Sequence, residues 1–182
     1  MVADALHRRG LASHPHLGAR SKVPAEQGRL TIFASGPEEA RQRVEPVLAA
    51  TGERTVWVGP VGTGSRMKLV NNTLLAFGAE GVANSLALAH RLGLETRGVL
   101  GAFEGGQLMS PWEAGKFRRI EVGEFSPEFP LALALKDVHL ALDHGGPECF
   151  TVLASLAEEW EQIVEQGFGD EDVTVVTRVL ER

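Results

Sequence analysis

"GPVGTGSRMKLVNNTLLAFGAEGVANSLALAHRLG" (residues 59–93) decides the architecture. Four of its first six residues are glycine or proline, so the chain turns there. From Ser65 to Leu92 no proline occurs, and Gly93 supplies a stop. A helix over about 65–92 would run about 40 Å.

Upstream of this stretch the text is mixed. "MVADALHRRG" reads as the end of a short helix over 2–9 stopped by Gly10, and 11–27 as irregular. "GRLTIFASG" (28–36) alternates like a strand, "GPEEARQRVEPVLAATG" (36–52) reads as a helix with Glu38 and Glu39 at its positive end, and "RTVWVG" (54–59) is β-branched. Downstream, only helices are expected: about 96–105, 110–116, 127–144, 148–166 and 170–181. The expected domains are therefore 1–62, mixed α/β, and 63–182, all helical.

Bulk properties exclude several classes. The 182 residues are 43% hydrophobic and 23% charged, as in a soluble globular protein, and suffice for one ordinary domain or two small ones. A net charge of −6 speaks against nucleic acid and acidic membranes as partners, though not against an anionic small molecule in a local basic pocket. No run of about 18 apolar residues and no signal-peptide pattern occurs, so the expectation is a cytoplasmic protein. The single cysteine, Cys149, allows no internal disulfide, and is expected to be a small buried filler rather than a nucleophile.

The glycine-rich turn is not a phosphate loop of the usual kind. Its spacing is G-x-x-G-x-G, the reverse of the dinucleotide fingerprint, and no second strand with a closing acidic residue follows. Lys68 is followed by Leu69, not by Ser or Thr as in a Walker loop. Lys68 and Asn72 share a helical face that continues through Leu75, Ala79, Val82 and Leu86. Two readings stay open. Lys68 reaches water and Asn72 caps a nearby loop, or both border a cleft where the lysine trades a proton with a substrate oxygen. Lys136 and Asp137 interrupt another apolar helix in "FSPEFPLALALKDVHLALDHG" (125–145). They are either a solvated stripe, or a cation for phosphate or amide contacts beside a carboxylate that could pair with another lysine. Trp112, Lys116, Arg118 and Arg119 in "SPWEAGKFRRI" read as a solvated basic loop, with carboxylate binding as the alternative.

These residues carry a resemblance. "GPVGTGSRMKLVNN" resembles the G-x-x-G-x-G-x-x-x-K-x-x-N-N signature of the β-hydroxyacid dehydrogenases, which include 3-hydroxyisobutyrate dehydrogenase, tartronate semialdehyde reductase and the glyoxylate/succinic semialdehyde reductases. "PAEQGRLTIFASG" looks like the family's A-x-x-G-x-L strand, "GEFSPEFPLALALKDVHLAL" like its F-x-P-x-F…K-D motif, and "SPWEAGKF" falls at its variable substrate loop. The resemblance runs from about residue 22 onward. It implies a remnant of a Rossmann-type NAD(P)-binding domain with two to three strands, followed by an all-α helical domain like that of 6-phosphogluconate dehydrogenase.

The resemblance also implies roles. Lys68 matches the catalytic lysine, which protonates a carbonyl oxygen in reduction, and Asn72 the amide that keeps substrate and lysine in register. Asn71, Phe129 and Asp137 fall on the substrate side; Lys136, Gly62 and Gly64 fall on the cofactor side. The cofactor would be NADP or NAD, the substrate a small carboxylate or semialdehyde, the assembly a homodimer or homotetramer through the helical domain, and no metal is implied. Two departures stand out: no G-x-G-x-x-G turn occurs, and the family's substrate-binding Ser/Thr region aligns poorly, with Ser21 the nearby hydroxyl. Met1 falls late in the family's cofactor domain, so weak cofactor binding and low activity of the chain alone are expected. The competing expectation is a non-catalytic helical dimerisation module derived from such an enzyme.

Overall fold

The computed structural model describes residues 30–181. The expected helix over 2–9, the irregular stretch 11–27, the start of the strand at 28 and Ser21 lie outside the described residues. The chain forms two compact units, Met1–Asn71 and Asn72–Arg182.

In the first unit, β1 (Thr31–Ala34) and β2 (Arg54–Trp57) pair in parallel, with Thr31 opposite Arg54 and Ala34 opposite Trp57. Parallel neighbours need a crossover, and α1 (Glu38–Ala49) supplies it. Pro37 is extended just ahead of α1 and its fixed φ presets the first turn. The alternation along β1 buries Ile32 and Ala34, which pack with Leu30, Val44, Leu48 and Trp57.

Helix α2 (Thr63–Arg91) starts in the first unit and runs on into the second. There it is joined by α3 (Thr96–Phe103), α4 (Pro111–Glu121), α5 (Leu131–Gly145) and α6 (Thr151–Ile163). A widened turn (Val164–Phe168), a 3₁₀ turn (Val173–Val175) and the short α7 (Val176–Leu180) follow. Small residues let α2 sit between two cores. Ala76, Ala79 and Ala83 join α5 and α6 around the fully buried Trp160. Val82, Leu86 and Ala89 join Val99 and Leu100 of α3 and Ala114 and Phe117 of α4. Leu75, expected on the buried stripe, is only half-buried, and its neighbour Ala76 takes the core position.

Several expected boundaries move, each for a local reason. Helix α4 continues to Glu121 instead of stopping at 116, because Ala114 and Phe117 are buried on one face; Ser110 and Glu113 close a capping box at its start. Helix α5 begins at Leu131 rather than 127, since Pro130 holds an extended backbone (φ −56°, ψ 135°). Pro130 also lies opposite Asp172 in an isolated antiparallel bridge. Helix α6 starts at Thr151, after a turn over 147–149. The helix expected over 170–181 opens only at Val173, because Asp172 is extended (ψ 148°) and caps the Thr174 N–H with its side chain. Cys149 corrects its expectation outright: it lies in the exposed turn before α6, not in the core.

Candidate active site

Asn72, Lys136 and Asp137 come together in the second unit. Asn72 is 5% exposed and Asp137 4%, so both polar groups must find partners inside the protein. The Asn72 Nδ2 donates to Asp137 Oδ2 at 2.5 Å. An ionised carboxylate only accepts, so the nitrogen of the amide, not its oxygen, faces Asp137. Lys136 Nζ donates to the other oxygen, Oδ1, at 2.7 Å while its side chain stays 55% exposed. One carboxylate thus orients an amide and anchors a half-exposed ammonium. Asn72 therefore bonds a side chain on α5, not a loop, and Asp137 is no part of a solvated stripe.

The other expected residues have separate places. Lys68 lies on α2, four residues before Asn72, and is half-buried like Asn71. Both belong to the first unit, as do Gly62 and Gly64. Gly62 turns the chain into α2 with φ +90°, a conformation other residues resist. Gly64 is buried where a Cβ would stand 2.7 Å from the Phe33 carbonyl oxygen, so only glycine lets the start of α2 meet the end of β1. Phe129 is half-buried against the larger core, and its N–H donates to Asp172 Oδ2 at 3.0 Å.

Asp172 opens a second polar cluster that the sequence reading missed. Lys116, expected in a solvated loop, is 1% exposed on α4. Its ammonium lies 2.9 Å from both oxygens of the fully buried Asp172 and 3.0 Å from Glu128 Oε2, with the Trp112 ring centroid 5.5 Å away. Burial alone would raise the Asp172 carboxyl. The Lys116 charge and hydrogen bond, with backbone N–H bonds from Phe129 and Thr174, outweigh it and hold the group below its ordinary value. Arg118 and Arg119 also lie on α4, paired with Glu104 and with the Ser126 carbonyl respectively. "DVT" at 172–174, a capping residue ahead of an apolar run, was the signal available for Asp172. Burial of Lys116 had none.

Elsewhere, Glu80 on α2 accepts from the Trp160 indole at 2.5 Å and from Asn84 at 2.8 Å. Burial pushes its carboxyl up, and Glu159 adds to this. Among the described residues no cluster of His, Cys, Asp and Glu could hold a metal ion, and no helix is long and apolar enough to cross a membrane.

Two family models match the chain. One, described as NAD-binding of NADP-dependent 3-hydroxyisobutyrate dehydrogenase, matches residues 62–180. The other, described as the NAD binding domain of 6-phosphogluconate dehydrogenase, matches residues 18–59. The chain belongs to the β-hydroxyacid dehydrogenase family, whose cofactor is NAD or NADP. It is 30% identical over 162 residues to glyoxylate/succinic semialdehyde reductase 1 of Arabidopsis thaliana, a match covering 88% of this chain and 56% of that protein. It is 31% identical over 163 residues to 2-(hydroxymethyl)glutarate dehydrogenase of Eubacterium barkeri, covering 87% and 54%. The chain thus spans about half the length of the curated relatives it matches. The fold is that of 3-hydroxyisobutyrate dehydrogenase from Salmonella typhimurium, with a TM-score of 0.76, 23% identity, and 86% of this chain and 56% of that one covered. A structure of Psf3 in complex with NADP+ and 2-OPP gives the same TM-score, 0.76, at 20% identity, covering 89% and 57%.

Proposed function

We propose that this chain serves an NAD(P)-dependent oxidoreductase acting on a small 3-hydroxy acid or the matching semialdehyde. The observation that carries the reading is the Asn72–Asp137–Lys136 chain of hydrogen bonds, buried at Asn72 and Asp137, with Asn72 on the helix that also bears Lys68. A bound nicotinamide supplies or takes the hydride. The residues here do the rest. Lys68 gives a proton to the carbonyl oxygen in reduction and takes one from the hydroxyl in oxidation. Asn72, turned by Asp137, holds that oxygen in register. Asn71 and Phe129 contribute to the substrate pocket.

The donor set suits the cofactor. Lys136 keeps its stem half in solvent with its charge anchored by Asp137, which favours contact with the nicotinamide end. Gly62 would meet the cofactor at the turn into α2, and Gly64 beside it lets that turn pack against the end of β1. Residues 1–62 would serve cofactor binding, and 63–182 the substrate and the contacts between subunits of a homodimer or homotetramer.

Calorimetric titration of NADPH and NADH into the purified chain tests this, with Lys136→Ala as control. Micromolar binding that the variant loses supports the reading. Binding that Lys136→Ala leaves unchanged removes Lys136 from the site, and no binding up to millimolar cofactor removes cofactor binding from the chain.

A further inference from the structure

Six hydrogen bonds converge on the Asp172 carboxylate. Oδ1 accepts from Lys116 Nζ (2.9 Å), the Thr174 N–H (3.2 Å) and Thr174 Oγ1 (3.0 Å). Oδ2 accepts from Lys116 Nζ (2.9 Å) and the N–H groups of Glu128 and Phe129 (both 3.0 Å). Around this anchor the backbone doubles back on itself. Asp172 N–H donates to the Phe125 carbonyl and Val173 N–H to the Phe129 carbonyl. Helix α5 has no side-chain cap of its own. Its first two N–H groups, on Leu131 and Ala132, are taken up at 2.9 Å by the carbonyls of Glu171 and Gly169.

We propose that Lys116 and Asp172 are positioning residues for the candidate active site: by tying the Phe129 backbone and the start of α5 to Gly169–Val173, they set the register from which Asp137 reaches Asn72. The inference rests on reading Phe129, Asn72 and Asp137 as site residues. A buried ion pair adds little net stability over apolar groups of the same shape. What it adds here is direction, because fixed donors converge on fixed oxygens. The helix transmits that register stiffly. Asp137 follows Leu131 by six residues, about 9 Å along the axis. A slip of about 1 Å would carry the 2.5 Å Asn72–Asp137 bond to the limit of hydrogen bonding.

The test is NMR of the Asn72 side-chain amide, whose signal is identified by its loss in Asn72→Asp. The first variant is Lys116→Met/Asp172→Asn, which removes both charges together and keeps the volumes. The second is Thr174→Val, an isosteric change that removes one bond to Asp172. Circular dichroism and Tm establish that each is folded. The expected result is that the Asn72 amide signal moves toward that of a solvated amide and exchanges faster with water, more in the double variant than in Thr174→Val. A folded double variant with the Asn72 signal unmoved overturns the proposal. If the double variant does not fold, Thr174→Val decides alone: a moved signal supports positioning, and an unmoved one with lowered Tm leaves the pair a purely structural staple. Activity is not needed for this readout. Failure of the Lys136→Ala titration counts against the functional reading, while the amide signal still decides the positional one.

Discussion

Asn72 and Asp137 stand 65 residues apart in the chain and share a 2.5 Å hydrogen bond in which both groups are shielded from water. The bond makes Asp137 a support for Asn72. Replacing Asp137 with Asn keeps the size and one acceptor but removes the charge that Lys136 and the amide both address. We expect kcat to fall about 10–100-fold, the usual cost of losing a supporting partner, with Tm within a few degrees of wild type. Steady-state kinetics beside a thermal melt check both numbers. An unchanged kcat would detach Asp137 from the chemistry.

Lys68 is half-buried and outside the buried cores, so its removal should spare the fold. Lys68→Ala is expected to lower turnover about 10²–10⁴-fold, the range for a lost general acid–base. Lys68→Arg should not restore it, because a guanidinium does not give up its proton. Rates on a semialdehyde substrate, with far-UV circular dichroism as the folding control, decide the point.

The Asp172 carboxyl lies below its ordinary value of 3.8 in the folded protein. Unfolded chain therefore binds more protons than folded chain in the window beneath that value. The stabilisation is fully present above about pH 4 and disappears as pH falls through the folded value. Denaturant melts between pH 7 and 2 should show this loss, and Asp172→Asn should flatten the acid limb. The variant should also be weaker at pH 7, by at most about 3–5 kcal/mol, since it leaves the buried Lys116 charge with the part-exposed Glu128 as its carboxylate partner.

Glu80 runs the other way. Its carboxyl is raised above 4.5, first by burial and then by Glu159, so the folded state holds the extra proton. Stability from this group is present below the unfolded value and is lost as pH rises through the folded one. Glu80→Gln keeps an acceptor for Trp160 without a buried charge, and Asn84 can turn its own oxygen to the new amide. Tm at pH 7 should rise by about 2–4 °C, the shift expected for ~1 kcal/mol in a chain of this size, and the gain should shrink toward pH 4.5. Differential scanning calorimetry at the two pH values reads it directly.

The two leucines of α2 separate core from flank. Leu86 is fully buried between α3 and α4, and Leu86→Ala should cost about 2–5 kcal/mol. Leu75 is half-buried, and its truncation should cost clearly less. Equal losses in urea melts would contradict the burial seen here.

Much of the architecture was legible because it rests on local signals. A proline-free stretch, a glycine stop and alternating apolar residues suffice for α2, β1 and β2. The family pattern added the order of Lys68, Asn72, Lys136 and Asp137 along the chain. What local signals could not reach is set by distant partners. Pro130 marks the start of α5 locally, but the carbonyls that take up its first N–H groups come some 40 residues later, and nothing in "SPEF" points to them. Lys116 is buried because Asp172 waits for it, and no periodicity in "SPWEAGKF" announces a cation meant for the interior. Cys149 fails for a simpler reason. An apolar neighbourhood in sequence suggested the core, but the turn before α6 faces water.

The borrowed cap of α5 also has a consequence in time. A ribosome makes Leu131 about 40 residues before Asp172, a delay of roughly 2–8 s at ordinary rates of synthesis. Throughout that interval α5 has its side chains but not the carbonyls that finish its first turn. The Asn72–Asp137 pair can form only provisionally until residues 169–173 arrive and tie down the Phe129 backbone. A premature stop shortly before codon 169 would leave every expected site residue translated and in order, yet without the segment that holds them in place.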